Sequence, residues 1–400
     1  MIKPLLACLV ATVLATTALA AEPFQSWLET TVWPAARSAG VSRATFDAAT
    51  TGLTPDLSLP DLNAAGGTAA EFQTEFKSPA GYLDNAKLDT QGRAAAGKIA
   101  ANAARLKAIT ARTGVPAAVI VAIWGKESAY GAAPLPKDGV RTLATQAFAG
   151  SRRAEFLPEL VAALRILEEG HLARADLKSS WAGALGQPQF MPTKFLAYAV
   201  DADGDGRRDI WRSTADVLGS IANFLKLSGW RAGLPWGTEV VLPPAVSCTG
   251  EGPDQGRPLA DWISAGLVKP DGTPPTVAEV GPIGYLLLPA GRRGPAFLVS
   301  DNFYVLKAYN ESDVYALWVG EVADRAGTGG RIVGRWSDLR GFTRRDVQQL
   351  QQRLEAMGHD VGSADGLVGF RTRVAIGRWQ EQHGRPPTCF PDVDVIDALR

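Results

Sequence analysis

Cysteine, histidine and methionine are scarce in this sequence, with three of each in 400 residues. His171, His359 and His383 stand far apart and form no pair at metal-ligand spacing, so a histidine-based zinc centre has no ligands here. Net charge is also lacking, because 41 Lys and Arg cancel 41 Asp and Glu. That balance gives no support to a nucleic-acid or other polyanion partner. Beyond residue 20 no apolar run approaches the ~20 residues a membrane span needs, so no transmembrane segment is expected. Charged residues, at 20%, fall a little below the usual ~25%.

What is present is apolar mass and punctuation. A hydrophobic share of 46% over 400 residues suffices for packed cores in two to four domains, which excludes a disordered chain. The 42 glycines and 26 prolines imply many loops without reaching low-complexity composition.

Residues 1–20 have one Lys, an apolar stretch from Leu5, and Ala18-Leu19-Ala20 in a signal-peptidase arrangement. The expectation is a signal peptide cut after Ala20 and a soluble, exported product. Leu5-Leu6-Ala7-Cys8 resembles a lipoprotein box, but too little apolar sequence precedes it. Cys248 and Cys389 then remain in an oxidising compartment. They lie in different parts of the chain, and the sequence leaves open whether they pair.

From residue 22 to 227 the pattern is mainly helical, with three- and four-residue apolar spacing in Ala95–Thr113, Phe156–Glu169 and Ala215–Lys226. Between about 229 and 301 short β-like runs appear among Pro and Gly, which predicts a small β-containing insertion. Helical periodicity returns over Phe303–Ala323. Residues 326–336, opening with Ala326-Gly327-Thr328-Gly329-Gly330, read as a flexible linker. A small module occupies 337–400.

Gly114-Val115-Pro116 is a helix-start signal, and Ala117 to Trp124 is apolar all round, which predicts a buried helix. It stops within a turn at Gly125-Lys126-Glu127-Ser128-Ala129-Tyr130-Gly131. Glu127 is thus placed at the C-terminal end of an apolar helix, where burial and the helix macrodipole both disfavour its ionised form. A carboxyl that keeps its proton suits general-acid work on a glycosidic oxygen.

The segment from Trp124 to Gly131, then Thr142-Leu143-Ala144-Thr145-Gln146-Ala147-Phe148 and Arg152-Arg153-Ala154-Glu155-Phe156, resembles the catalytic core of the membrane-bound lytic murein transglycosylase B family. Ala182-Gly183-Ala184-Leu185-Gly186-Gln187-Pro188-Gln189-Phe190-Met191-Pro192 resembles that family's G-A-M-G-x-x-Q-F-M-P signature, with Leu185 replacing Met. The resemblance implies a mainly α fold with a lysozyme-like catalytic core over 22–325. It also implies Glu127 as the catalytic acid and Ser180, Gln189 and Phe190 beside the substrate. Tyr309, Asn310 and Tyr315 fall on the family's Tyr-Asn…Tyr pattern lining a saccharide groove, and Phe224 stands where the family has a tyrosine.

No second acid recurs near Glu127 in these motifs, and the closest, Asp138, sits in a loop-like stretch. The two-carboxylate arrangement of ordinary glycosidases is therefore unsupported. The resemblance implies a substrate-assisted cleavage between N-acetylmuramic acid and N-acetylglucosamine that leaves 1,6-anhydromuramic acid. A lysozyme-type muramidase and a non-catalytic wall-binding scaffold are the alternatives. Zinc-amidase chemistry lacks its ligands.

Asp201-Ala202-Asp203-Gly204-Asp205-Gly206 opens like an EF-hand calcium loop, with Arg212 where the bidentate Glu belongs. Asp201, Asp203, Asp205, the Arg207 carbonyl and Asp216 are the expected ligands of a structural calcium. The chemistry itself requires no cofactor.

At the C-terminus, Thr343 reads as an N-cap followed by apolar spacing at Val347, Leu350 and Leu354. Then come Asp365-Gly366-Leu367-Val368-Gly369, Thr372 and a second helix over Val374–Gln380. This order resembles the peptidoglycan-binding domain type 1 family, which implies a small three-helix module anchoring the enzyme to glycan strands in the periplasm.

Overall fold

The computed structural model describes residues 23–63, 79–327, 329–337, 339 and 342–399. The expected signal peptide lies outside the described residues.

Short helices over residues 24–50 lead into the main helical body. Asn85–Ala101 (α1) and Ala103–Thr113 (α2) split the helical stretch read from sequence, the break falling at Asn102. Gly114, at φ +72, ends α2 in the left-handed conformation that favours glycine. Ala117–Ser128 (α3) runs through the middle of the body, with every residue from Val119 to Trp124 buried. Gly139–Ala149 (α4) packs on Arg153–Glu168 (α5), α5 on Pro192–Tyr198 (α6), and α6 on Thr214–Leu227 (α7), which in turn packs on α3. Pro158, the sixth residue of α5, lies inside the helix and removes one i→i−4 hydrogen bond, the one its N–H would give to the Ala154 carbonyl. Asp301–Asn310 (α8) and Asp313–Ala326 (α9) close the body, broken at Glu311, which adopts φ +58.

Two small sheets punctuate the helices. Lys137–Asp138 (β1) pairs antiparallel with Lys178–Ser179 (β2) beside α4. The β-containing insertion contributes Gly237–Val240 (β3), Arg257–Pro258 (β4), Ile283–Leu287 (β5), Pro289–Arg292 (β6) and Ala296–Val299 (β7). Four of these form an antiparallel sheet in the order β3-β7-β5-β4. Its own core of Val240, Trp262, Leu286 and Leu298 is separate from the helical core.

The C-terminal module is three helices, Arg344–Ala356 (α10), Phe370–Gln382 (α11) and Val393–Ala398 (α12), around Leu350, Leu354, Ile376 and Trp379. Thr343 caps α10 through a capping box with Asp346. The fold class read from sequence, mainly helical with a small β insertion and a three-helix module, is the observed one.

The module is fastened to the body at several points. Cys248 and Cys389 form a disulfide across 141 residues, which resolves the pairing that the sequence left open. Arg293 pairs with Asp392 at 2.7 Å. The segment after the glycines is held as well: Ile332 is buried, Asn85 bonds its backbone on both sides, and Glu239 accepts the N–H groups of Val333 and Gly334.

Candidate active site

Three consecutive residues in the left-handed region, Ala129 (φ +48), Tyr130 (φ +60) and Gly131 (φ +83), stop α3 abruptly. Two glycines make that stop sterically feasible. A Cβ on Gly125 would lie 2.6 Å from the Tyr130 ring, and one on Gly131 would lie 2.5 Å from Gln187 Oε1. The Ser128 hydroxyl accepts the Gly131 N–H at 3.1 Å and fixes the turn. Glu127, in the last turn before this stop, projects half-buried into a cleft of about 300 Å³.

The facing wall is the glycine-rich motif. Gly183 and Gly186 have φ +87 and +61, and a Cβ on Gly186 would press on Ile210 at 2.6 Å. Ser180 closes a tight loop on Ala184 through its N–H (2.8 Å) and its Oγ (3.1 Å) and lines the cleft. Gln189, itself at φ +55, lines the cleft and donates to the Gly186 carbonyl at 2.8 Å.

Beneath lies an aromatic floor. The Tyr315 hydroxyl donates to Glu127 Oε1 at 2.5 Å. Burial first, then the Glu127 charge, pushes the Tyr315 and Tyr309 phenols well above the usual range, so both remain neutral donors. The two rings stack at 6.2 Å with an 11° interplanar angle, and the Tyr309 hydroxyl donates to the Pro188 carbonyl at 2.8 Å. Phe224 packs edge-on to Tyr309 at 4.9 Å, filling this layer without a hydroxyl. Lys194, which donates to the Tyr309 carbonyl at 3.3 Å, is lowered by burial.

The structure therefore brings Glu127, Ser180 and Gln189 to the cleft wall and corrects four of the substrate contacts read from sequence. Tyr309 and Tyr315, 8% and 0% exposed, lie beneath the cleft, where Tyr315 reaches it only through Glu127. Phe190 is 1% exposed and packs against Phe224 and Tyr309, so it supports the floor from behind and offers no face to a ligand. Asn310 is exposed and lines a different cavity, of about 770 Å³, between the α8–α9 turn and the C-terminal module. Helical spacing alone could not separate these faces.

Sequence reading passed over Gln187. Its Oε1 accepts from Trp124 Nε1 at 2.7 Å and its Nε2 donates to the Trp211 carbonyl at 2.8 Å, so it ties the helix of Glu127 to the opposite wall. It also passed over Asp176, a second acid at the cleft, which is bound to Arg212 at 2.6 Å and thereby engaged. Asp138 caps α4 and pairs with Arg174.

Behind the cleft, Asp201, Asp203 and Asp205 bring carboxylate oxygens within 4.8 Å of one another at the surface. Asp201 accepts N–H groups from Gly204, Asp205 and Gly206, and these bonds hold it below the usual carboxylate range. Exposed, hard oxygen donors suit calcium. Asp216 does not join them: it is fully buried, and its two oxygens accept the N–H groups of Ala202 and Asp209, each at 2.7 Å. It braces the loop from inside. Arg207 donates its N–H to Asp205 Oδ1 at 2.8 Å.

Residues 23–324 match the family described as Transglycosylase SLT domain, and 343–399 match the putative peptidoglycan binding domain. The chain is 32% identical over 212 residues to the membrane-bound lytic murein transglycosylase B of Escherichia coli strain K12, a stretch covering 52% of this chain and 56% of that protein. It thus spans about half the length of that curated relative. Its fold is similar to SltB3 of Pseudomonas aeruginosa in complex with NAG-anhNAM-pentapeptide, with 40% identity and a TM-score of 0.84 over 94% of this chain and 99% of that one. It is also similar to the lytic transglycosylase Slt35 of Escherichia coli in complex with calcium, at 28% identity and a TM-score of 0.54, covering 64% and 81% of the two chains.

Proposed function

This chain belongs to the Transglycosylase SLT domain family, and from that membership we propose that it is a peptidoglycan lytic transglycosylase working through a single acid, Glu127. The observation that carries the reading is the Tyr315 hydroxyl on Glu127 Oε1, in a cleft whose other acid is held by an arginine.

Glu127, protonated, gives its proton to the oxygen linking N-acetylmuramic acid to N-acetylglucosamine as the C1–O bond breaks. The positive charge at C1 is carried by the substrate's own 2-acetamido group, so a second carboxylate is unnecessary. Glu127, now a base, takes the proton from the muramyl 6-hydroxyl, whose oxygen bonds to C1. The product is a 1,6-anhydro ring, the proton is back on Glu127, and water is not consumed. The Tyr315 donor fixes one carboxyl oxygen of Glu127 in the cleft. Ser180 and Gln189 supply neutral hydrogen-bonding groups suited to sugar hydroxyls and acetamides.

The C-terminal module tethers the enzyme to glycan strands and raises the local substrate concentration. Export to the periplasm through residues 1–20 accords with a disulfide, which persists in oxidising compartments. Among the described residues no single helix is long and apolar enough to cross a membrane. Asp201, Asp203 and Asp205, with the Arg207 carbonyl, would hold a calcium ion whose contribution is structural, ordering the 201–207 loop.

Mass spectrometry of muropeptides released from purified sacculi tests the reading. Anhydro ends from the wild type and none from Glu127→Gln are expected. Reducing ends would make the protein a hydrolase, and no release by either would make it a scaffold.

A further inference from the structure

Arg373 belongs to α11 of the C-terminal module, where its Nη1 donates to the Val368 carbonyl at 2.9 Å, yet its other two guanidinium nitrogens are committed to two acids outside that module. Nε and Nη2 donate to Glu251 at 2.9 and 2.6 Å, and Nη2 also donates to Asp313 at 2.9 Å. The Arg373 and Glu251 side chains are 2% and 0% exposed, and that of Asp313 is 9% exposed. Glu251 also accepts the Leu288 N–H at 2.8 Å, which anchors it in the β insertion. The second oxygen of Asp313 receives Lys307 Nζ at 2.7 Å. Two cations and two anions thereby meet where three parts of the chain come together, with Lys307 at the solvent rim, 23% exposed.

Burying such a group of charges yields little net stability, because desolvation offsets most of the attraction, whereas losing one member leaves its partner uncompensated. What the group does supply is register. Asp313 is the first residue of α9, following the Ser312 cap, and two residues later Tyr315 presents its hydroxyl to Glu127. The turn entering α9 passes through Glu311 at φ +58, a left-handed conformation that a non-glycine residue holds only when its surroundings impose it. Lys307 grips Asp313 from within the helical body and Arg373 from the module, so the start of α9 is clamped on both sides.

We propose that Arg373 is a positioning residue for the reaction: by clamping Asp313 it sets the start of α9, and with it the placement of Tyr315 against Glu127. The C-terminal module is then part of the catalytic unit as well as an anchor. The proposal rests on the reading of Glu127 as the catalytic acid.

The test uses the full chain and a short soluble glycan of two disaccharides, for which tethering to the wall gives no advantage. Arg373→Met and Asp313→Asn are expected to lower kcat at least tenfold with KM within threefold. Arg378→Ala, an exposed change on the same helix, is expected to keep the wild-type kcat. Asp313→Asn leaves the Arg373–Glu251 pair intact and so separates clamping from docking. If Arg373→Met does not fold, Arg373→Lys decides, since it retains the charge but not the two-acid grip. A reduced kcat at unchanged melting temperature supports the clamp; wild-type kcat in folded Arg373→Lys or Asp313→Asn overturns it. Glu127→Gln in the same assay keeps the two ideas apart. Activity there removes the premise, while an inactive Glu127→Gln beside fully active clamp variants removes only the clamp.

Discussion

Trp124 Nε1 donates to Gln187 Oε1 at 2.7 Å, joining the helix that carries Glu127 to the wall that faces it. The Gln187 amide nitrogen continues the bridge to the Trp211 carbonyl. Gln187→Leu removes both bonds and leaves the Trp124 donor without its acceptor. A loss of roughly 2–4 kcal/mol in urea unfolding is expected, at ~1–3 kcal/mol for each unsatisfied buried group. Turnover should fall with it, whereas Gln187→Glu, which keeps the acceptor, should lose less.

Tyr315→Phe deletes one hydroxyl and retains the ring that stacks on Tyr309. With that bond to Glu127 gone, kcat on sacculi should drop about tenfold, equivalent to ~1.4 kcal/mol. A melting temperature within a few degrees of wild type would show that the ring still fills the floor. Unchanged kcat would mean that the contact is idle.

Reducing the Cys248–Cys389 disulfide reopens a loop of 141 residues, for which chain entropy alone gives up to about 5 kcal/mol. Thermal unfolding with and without reductant should show an earlier transition in the reduced protein. The Cys248→Ser/Cys389→Ser double variant should be insensitive to reductant. If the clamp at Arg373 acts as proposed, activity on the short glycan should decline as the module loosens.

Burial raises the Asp324 carboxyl to about 6, against the Trp236 N–H at 3.0 Å and the Arg325 charge, which pull it down. A raised carboxyl binds its proton more tightly folded than unfolded. Its stabilising contribution is therefore complete below about pH 4 and is lost as pH rises through about 6. Asp324→Asn keeps an acceptor for Trp236 and removes the titration. The difference in unfolding free energy between wild type and variant should shift by roughly 2 kcal/mol between pH 4 and 7, with wild type favoured at the acid end.

Millimolar calcium should raise the melting temperature, and chelator should reverse the gain, through Asp201, Asp203 and Asp205. Asp203→Asn/Asp205→Asn should abolish the response. Because Asp216 is engaged by backbone donors, Asp216→Asn should destabilise the protein with or without calcium. Equal melting temperatures with calcium and chelator in the wild type would dismiss the site.

What could be read from the sequence alone was local. Residues 117–124 form an apolar run behind a Pro and before a Gly, so they make a buried helix wherever the chain folds, and Glu127 must stand at its end. The alternating aspartates of 201–205, the Thr343 cap and the β-like runs near 240, 286 and 298 are likewise set by neighbours within a few positions. The contacts that make a site join residues far apart in the chain: Tyr315 meets Glu127 across 188 positions, Arg373 meets Asp313 across 60, and Cys248 meets Cys389 across 141. Phe190 lies behind the floor and Asn310 in another cavity because solvent exposure belongs to the packed surface, and one-dimensional periodicity does not specify which of two apolar-adjacent faces the neighbouring helices will cover.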